Sequence, residues 1–338
     1  MIGLLRSAVW ALALGSTAHA QTLPELNLDP AQTTVSGLSS GAFMAVQLQV
    51  AFSEKLAGAG IVAGGPYGCS EGSVYWALWI CMATTFGEAD AEESIREIED
   101  LAARRRIDAP ANIVGDRIYM FHGKADDTVA RASMDALYDA YSALNVPDGQ
   151  ISYEKTINAG HGFVTEQGDL ACSTTAPDFL IDCDFDQAGD ILQHVYGTLR
   201  PATVPDQGRL QDFDQSQYAQ AAEGMGDTAF VYVPETCANG QQCRLHIALH
   251  GCKQGEEVLG DTYARQSGYN KWAEANDIVV LYPQAERIPS PWWNWYAGNP
   301  NGCWDWWGYG SNDFLSREAP QIAAIARMAE ALGAPLSQ

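Results

Sequence analysis

Positive charge is what this chain has least of. Its 338 residues include 19 Lys or Arg against 42 Asp or Glu, a formal net charge of −23, and lysine occurs at only five positions. Nucleic acid and anionic lipid are polyanions that need compensating cations, so both are excluded as natural partners. An acidic surface instead keeps an exported protein soluble and suits a neutral or apolar substrate. Beyond residue 20 no run is long and apolar enough to span a bilayer, so no membrane partner is expected. No unit repeats, and no tract has low complexity. No C-x-x-C pair is present, which argues against a structural zinc site. Asp182, Asp184, Asp186 and Asp190 fall short of a calcium loop: Gln187 stands where the loop needs glycine, and no Glu closes it. They read as acids at a helix N-terminus, with no metal.

What is present points to a globular enzyme. Hydrophobic residues make up 47% of the chain and there are ten Trp. Residues 1–20 carry Arg6, a short apolar run and Ala18-His19-Ala20. This is the pattern of a secretory signal peptide cut before Gln21, and it places the protein in the periplasm or the medium. The remaining residues, 21–338, form one expected catalytic domain. Eight cysteines follow the cut: Cys69, Cys81, Cys172, Cys183, Cys237, Cys243, Cys252 and Cys303. An even number in an exported chain implies disulfides. Proximity favours 69–81, 172–183 and 237–243, leaving 252–303.

Strand-like and helix-like segments alternate. Short apolar runs at 33–36, 57–65, 117–121, 151–155, 229–234, 245–249 and 278–282 read as strands. Residues 42–52, 90–106, 131–144, 186–196 and 312–332 read as helices. Such alternation predicts an α/β fold with a mostly parallel central sheet flanked by helices. The polar stretch 198–226 reads as a surface excursion within the same domain.

The stretch Val35-Ser36-Gly37-Leu38-Ser39-Ser40-Gly41-Ala42-Phe43 holds a G-x-S-x-G motif between a β-like and a helix-like segment. That context defines a nucleophile elbow, a sharp turn that lifts a serine hydroxyl above the sheet of an α/β-hydrolase. Ser39 is the candidate nucleophile. A hydroxyl needs a base and the base an orienting carboxylate, in the chain order Ser, acid, His. Asp126, in a turn-rich loop after the strand at 117–121, is the candidate acid, with Asp127 as fallback. His161, between Gly160 and Gly162, is the candidate base. His122 reads as packing beneath the acid, His194 as a helix residue and His246 as a strand residue.

His250-Gly251-Cys252 follows an apolar strand and resembles the turn that donates a backbone N–H to an oxyanion hole. In an ordinary α/β-hydrolase that turn precedes the elbow. Here it follows the whole triad, while almost nothing precedes the elbow. Read as a circle, the strands at 229–234, 245–249 and 278–282 and the last helix lead into the strand before Ser39. The expected fold is therefore a circularly permuted α/β-hydrolase, with the amides of Ser40 and Cys252 as oxyanion donors. A Cys252–Cys303 bond would pin the donor turn to the aromatic loop 291–310. That loop carries Trp292, Trp293, Trp295, Trp304, Trp306 and Trp307, either an apolar platform for a polymer or a loop packed on itself. Trp306 and Trp307 are the candidate substrate contacts.

The motifs "VSGLSSGAFMA", "HGKADDTV", "NAGHGF", "CDFDQAGDILQHVYG", "LHGCKQ" and "WDWWGY", in that order, resemble the catalytic domain of the secreted and periplasmic poly(3-hydroxybutyrate) depolymerases. The resemblance implies a cofactor-free serine esterase acting on a polyester or oligoester, with Ser39, Asp126 and His161 as triad, Ser40 and Cys252 as oxyanion donors, and Trp307 near the polymer. It requires no obligate protein partner. A feruloyl or acetyl-xylan type esterase and a non-catalytic polymer or glycan binder are the alternatives. The turn lying after the triad argues against the first, and the complete triad against the second.

Overall fold

The central apolar runs become strands because their neighbours bury both of their faces, while the run at the edge stays half-buried. In a computed structural model, which describes residues 22–202, 209–219, 224–294 and 297–337, the strands are β1 (Thr33–Leu38), β2 (Leu56–Val62), β3 (Arg117–Phe121) and β4 (Ile151–Glu154), the short β5 (Phe163–Val164), β6 (Leu170–Ala171) and β7 (Leu180–Asp182), then β8 (Leu210–Asp214), β9 (Thr228–Tyr232), β10 (Arg244–Leu249) and β11 (Ile278–Tyr282). Eight of them form one sheet in the order β4-β3-β2-β1-β10-β11-β9-β8, and β5-β7-β6 form a small second sheet. From β4 to β11 every neighbouring pair is parallel, while β9 joins β11, and β8 joins β9, in antiparallel register.

Parallel strands of this kind are covered by helices on both faces and read as continuous apolar runs. The core divides accordingly. Ile118 and Met120 of β3, Leu245 and Ile247 of β10 and Val279 and Leu281 of β11 face one layer, with helices Ser40–Ala51, Arg131–Ala143 and Pro320–Ala331. Tyr119, Phe121, Ala248, Val280 and Tyr282 face the other, with helices Gln187–Tyr196 and Tyr269–Asn276. The period of two along each strand assigns the faces.

The order of the strands carries the permutation. Counted from β8 through β11 and then on through β1 to β4, they lie across the sheet as first, second, fourth, third, fifth, sixth, seventh and eighth. The C-terminal β10 pairs directly with β1, Thr34 opposite His246 and Gly37 opposite Leu249. The two ends of the chain also meet, since the Leu26 amide donates to the Leu332 carbonyl at 3.0 Å.

Two expectations are corrected. The last helix begins at Pro320, not near 312. Residues before it are held as turns, with Ser316 donating to Asp313 and to Glu318, and Pro320 supplies a favoured first helical position. The polar excursion contains β8, whose alternation is weak because it is an antiparallel edge strand with Gln211 and Asp212 exposed. Residues 203–208 and 220–223 of that excursion, the signal-peptide segment and Trp295 lie outside the described residues.

The cysteines pair as Cys69–Cys81, Cys172–Cys183, Cys237–Cys243 and Cys252–Cys303. Among the described residues no helix is long and apolar enough to cross a membrane.

Candidate active site

The elbow is built from backbone strain and missing side chains. Ser39 sits between β1 and the helix Ser40–Ala51 with φ of 57° and ψ of −120°, a conformation an L-residue adopts only when its surroundings enforce it. Its amide donates to the Val62 carbonyl at 2.9 Å, which ties the turn to the end of β2. The helix turns back so sharply that a Cβ on Gly37 would lie 2.2 Å from the Gly41 carbonyl carbon, and one on Gly41 2.4 Å from the His250 carbonyl oxygen. Glycine at both positions is a steric requirement, and the second contact seats the elbow on the end of β10.

The acid and the base follow at the C-terminal ends of the next strands, where open α/β sheets place their sites. A ladder of backbone bonds runs from the elbow to them. Ala63 donates to Phe121, Lys124 to Ile157 and Ala125 to Ala159, at 2.8–2.9 Å. Asp126 Oδ1 accepts the amides of Thr128 (2.8 Å) and Val129 (3.0 Å), which leaves Oδ2 for His161 Nδ1 at 2.8 Å. Both side chains are buried. Burial alone would raise the Asp126 pKa, but the hydrogen bond and charge of His161 and the Val129 amide outweigh it and hold the carboxyl below its ordinary value. Asp126 thus stays ionised, accepts the Nδ1 proton of His161 and leaves Nε2 as the nitrogen able to act as a base. Asp127, the fallback, is exposed.

No hydrogen bond joins Ser39 Oγ to His161 among the described residues; in hydrolases this link often closes only around substrate. The backbone of His161 is anchored by Thr175, whose Oγ1 accepts the His161 amide at 2.8 Å. His122 is buried beneath the acid loop, with Nε2 donating to the Val129 carbonyl at 2.8 Å. His246 lies in a polar chain inside the sheet, between Thr34 and Ser36 (both 2.8 Å). His194 donates to the Gln150 carbonyl at 2.9 Å.

Ser39 and Cys252 line one cavity of about 230 Å³. Its walls come from both halves of the chain. Val129, whose amide holds Asp126, lines it together with Asn299, Asn301 and Cys303. Trp306 and Trp307 also line it, whereas Trp304 is core and Trp292 and Trp293 are 84% and 71% exposed. The five described tryptophans of this loop thus do three different things. Asp305 builds the turn that presents two of them: Oδ1 accepts the amides of Gly308 (2.7 Å) and Tyr309 (2.9 Å), and Oδ2 that of Gly310 (3.1 Å).

Sequence reasoning missed two parts of this cavity. Phe43, on the elbow helix, stacks on Trp306 with ring centroids 4.0 Å apart. Val74, Ala77, Leu78 and Met82 supply an apolar wall. The signal was available, since Cys69 and Cys81 bracket the run Val74-Tyr75-Trp76-Ala77-Leu78-Trp79-Ile80. The run lacked a recognisable period because it folds partly as a π-type turn over Ala77–Met82. Among the described residues no group of three or more His, Cys, Asp or Glu is placed to hold a metal ion. Asp186 caps the helix Gln187–Tyr196 by accepting the Gly189 amide at 3.1 Å, and Asp190 lies in its first turn.

A strained serine on a strand-to-helix turn, a buried Asp–His pair on the loops after β3 and β4 and a largely parallel sheet between helices define the class, an α/β-hydrolase. No family model matches the chain. Over 330 residues it is 42% identical to a poly(3-hydroxybutyrate) depolymerase of Delftia acidovorans, covering 96% of this chain and 64% of that protein. Over 335 residues it is 37% identical to a polyhydroxybutyrate depolymerase of Talaromyces funiculosus, covering 96% and 94%. The crystal structure of PHB depolymerase from Penicillium funiculosum superimposes with a TM-score of 0.84 at 35% identity, over 93% of this chain and 100% of that one. A structure of a PHB depolymerase serine-to-alanine variant complexed with an R3HB trimer fits equally well, at 0.84 and 35%, over 92% and 98%. The chain belongs to the poly(3-hydroxybutyrate) depolymerase family.

Proposed function

We propose that this protein is a secreted serine esterase that hydrolyses the ester bonds of poly(3-hydroxybutyrate) or its oligomers, with Ser39 as nucleophile, His161 as general base and Asp126 as its orienting acid. The observation that carries the reading is the pairing of a strained Ser39, sharing a cavity with the Cys252 turn, with a buried Asp126–His161 bond of 2.8 Å. The relatives' names and the trimer held by one structural neighbour support the substrate class.

His161 Nε2 takes the proton of Ser39 Oγ as the oxygen adds to the ester carbonyl. The carbonyl oxygen becomes an oxyanion received by the amides of Ser40 and Cys252. Ser40 is the first residue of its helix, so its amide has no intrahelical acceptor, and Cys252 N–H has no protein acceptor among the described residues. The imidazolium, stabilised by Asp126, gives its proton to the departing alcohol, and an acyl-enzyme remains. Water then loses a proton to His161, attacks the acyl carbon and releases the hydroxy acid, restoring Ser39. Trp306, Trp307 and the 74–82 wall provide an apolar bed for a neutral ester chain, and a surface poor in cations does not repel it. No step needs a cofactor.

Residues 21–338 act as one catalytic domain, since the central sheet draws strands from both ends of the chain. Export fits the four disulfides, which persist in oxidising compartments. N-terminal sequencing of the protein from culture fluid is expected to begin at Gln21.

The activity test compares wild type with Ser39→Ala on amorphous polymer, 3-hydroxybutyrate trimer, and feruloyl and acetyl esters. Release from polymer and trimer is expected to fall on the order of 10⁴-fold or more in the variant, and a fluorophosphonate is expected to label Ser39 in the wild type. Equal release by both proteins, or preference for the feruloyl or acetyl esters, overturns the reading.

A further inference from the structure

An oxyanion donor on a turn is useful only if its peptide plane is held, and nothing in the helix-like geometry that fixes Ser40 applies to Cys252. We propose that His250 is the positioning residue that sets the plane of the Gly251–Cys252 peptide and so aims the Cys252 amide at the ester oxygen; this rests on the serine-esterase reading above.

The ring is fully buried. Its Nε2 lies 3.0 Å from the Ala285 amide nitrogen, and a backbone amide only donates, so Nε2 is the acceptor. Its Nδ1 lies 2.7 Å from the Gly251 carbonyl oxygen, which only accepts, so Nδ1 carries the proton. The two backbone partners therefore fix the tautomer without reference to the reaction. Because a trans peptide is planar, its N–H points opposite to its C=O. By holding the Gly251 carbonyl, the ring turns the Cys252 N–H the other way.

The preceding peptide is locked at both ends. The His250 carbonyl accepts Trp304 Nε1–H at 2.9 Å, and the Gly251 amide donates to Gln254 Oε1 at 2.7 Å. Gln254 is itself oriented by Nε2 donating to the Asp178 carbonyl at 2.6 Å. Lys253 donates to Asn301 at 2.7 Å, and Gln254 to the Gly251 carbonyl at the longer 3.2 Å. Of the four amides from 251 to 254, only that of Cys252 has no protein acceptor among the described residues. The turn thus spends every other backbone donor on its own architecture and keeps one for the site.

The ring cannot swing away. The rings of Trp304 and Tyr263 lie 5.3 and 6.4 Å from it, centroid to centroid. A Cβ on Gly255 would come within 3.2 Å of its Cε1 and 2.4 Å of the Ala285 carbonyl oxygen. Burial also pushes the imidazole down to about 4, against the opposing pull of the Gly251 carbonyl, so Nε2 remains free to accept.

The test uses the full secreted protein and separates the two ring nitrogens. His250→Asn puts an amide N–H near the place of Nδ1 and loses the acceptor for Ala285. His250→Gln puts a carbonyl near the place of Nε2 and loses the donor to Gly251. On the trimer, His250→Gln is expected to lose roughly 30- to 100-fold in kcat with KM changed less than about threefold, a transition-state effect somewhat smaller than deleting a donor outright. His250→Asn is expected to recover about tenfold of that loss. The affinity of a butyryl trifluoromethyl ketone, whose adduct carries an oxyanion, is expected to fall in step with kcat/KM. Trimer binding in a Ser39→Ala background is expected to be unchanged. Equal losses in both variants, a loss confined to KM, or one that follows the folded fraction in thermal melts overturns the proposal. Nitrogen NMR of ¹⁵N-histidine wild-type protein tests it without any variant. A neutral ring protonated at Nδ1 is expected, and its assignment to His250 as an Nε2–H tautomer overturns the proposal even if both variants misfold. Activity persisting in Ser39→Ala alone would instead sink the esterase reading.

Discussion

The two halves of the chain hold their shares of the site by different means. Between residues 33 and 164 the proposed triad residues stand beyond the ends of β1, β3 and β4 in one parallel run of strands, and main-chain bonds at 2.8–2.9 Å run from the elbow to the histidine loop. Between residues 249 and 310 the proposed donor turn and the tryptophan wall lie in loops. There the restraints come from side chains, namely His250, Gln254, Trp304 and Asp305, and from the Cys252–Cys303 bond. Main-chain bonds between strands do not depend on which side chains the strands carry, whereas a loop fixed by side chains does, so the second half is the more vulnerable to loss of a single hydrogen-bonding side chain.

After Ser39→Ala, the largest expected effect also lies in the first half, at the carboxylate proposed to orient His161. Asp126→Asn is expected to lower kcat by on the order of 10³- to 10⁴-fold, because the proposed base would lose its orienting anion. Asp127→Asn, one residue away and exposed, is expected to stay within about twofold in the same trimer assay. Comparable losses in the two would dissolve the distinction between a paired carboxylate and a solvated one.

Removing the Cys252–Cys303 bond by paired serine substitution probes the second half. It closes a loop with a sequence separation of 51, for which chain entropy gives about 4 kcal/mol of stability. Urea unfolding is expected to show a loss of that order, and kcat to fall because the donor turn is freed from the wall. Unchanged kcat in the still-folded variant would mean that side chains alone hold the turn.

The seam between the halves is where the elbow helix meets β10. Gly41→Ala would push a methyl group against the His250 carbonyl, and overpacking a backbone contact is expected to cost about 3 kcal/mol or more, read as a lowered Tm. A neutral result would show that the two halves give way independently.

The smallest expected effect is remote from the chemistry. Asp116 is buried and accepts Gln49 Nε2–H at 2.7 Å, while Gln49 Oε1 accepts the Tyr141 hydroxyl at 2.6 Å. Burial raises its pKa from 3.8 to about 7, with Gln49 opposing. A raised carboxyl pKa means the folded state favours the proton, so stability from this group is present below about pH 4, declines as pH rises to 7 and is constant beyond. Asp116→Asn resembles the protonated form. Its Tm relative to wild type is expected to rise between pH 4 and 7 with activity at neutral pH unchanged, and a flat difference would refute the assignment.

Much of the first half was legible in the sequence. Gly37, Ser39 and Gly41 are local requirements of one turn, and Asp126 and His161 follow apolar strands on loops with nothing else to explain them. The order of the motifs also implied the permutation, because a donor turn after the triad can reach the elbow only if β10 lies beside β1. The 74–82 wall, Phe43 under Trp306 and the division of labour among the tryptophans were not legible. Each depends on what faces it across the cavity, and a Trp in a loop carries no periodicity that distinguishes core from wall. Trp304 is buried while Trp292 is not because of their neighbours, not their spacing.

The sequence by itself determined the alternating elements, the strained turn, the pool of cysteines and the types of side chain a serine hydrolase needs, since all of these follow from local sterics, hydrophobic period and chemistry. Only the tertiary structure decided which nitrogen of His250 carries its proton, which carboxylate meets His161 and which tryptophans face the cavity. Apart from the bond of His250 to its neighbour Gly251, those are contacts between segments tens to hundreds of residues apart, and such contacts exist only once apolar burial has brought the strands together in one order.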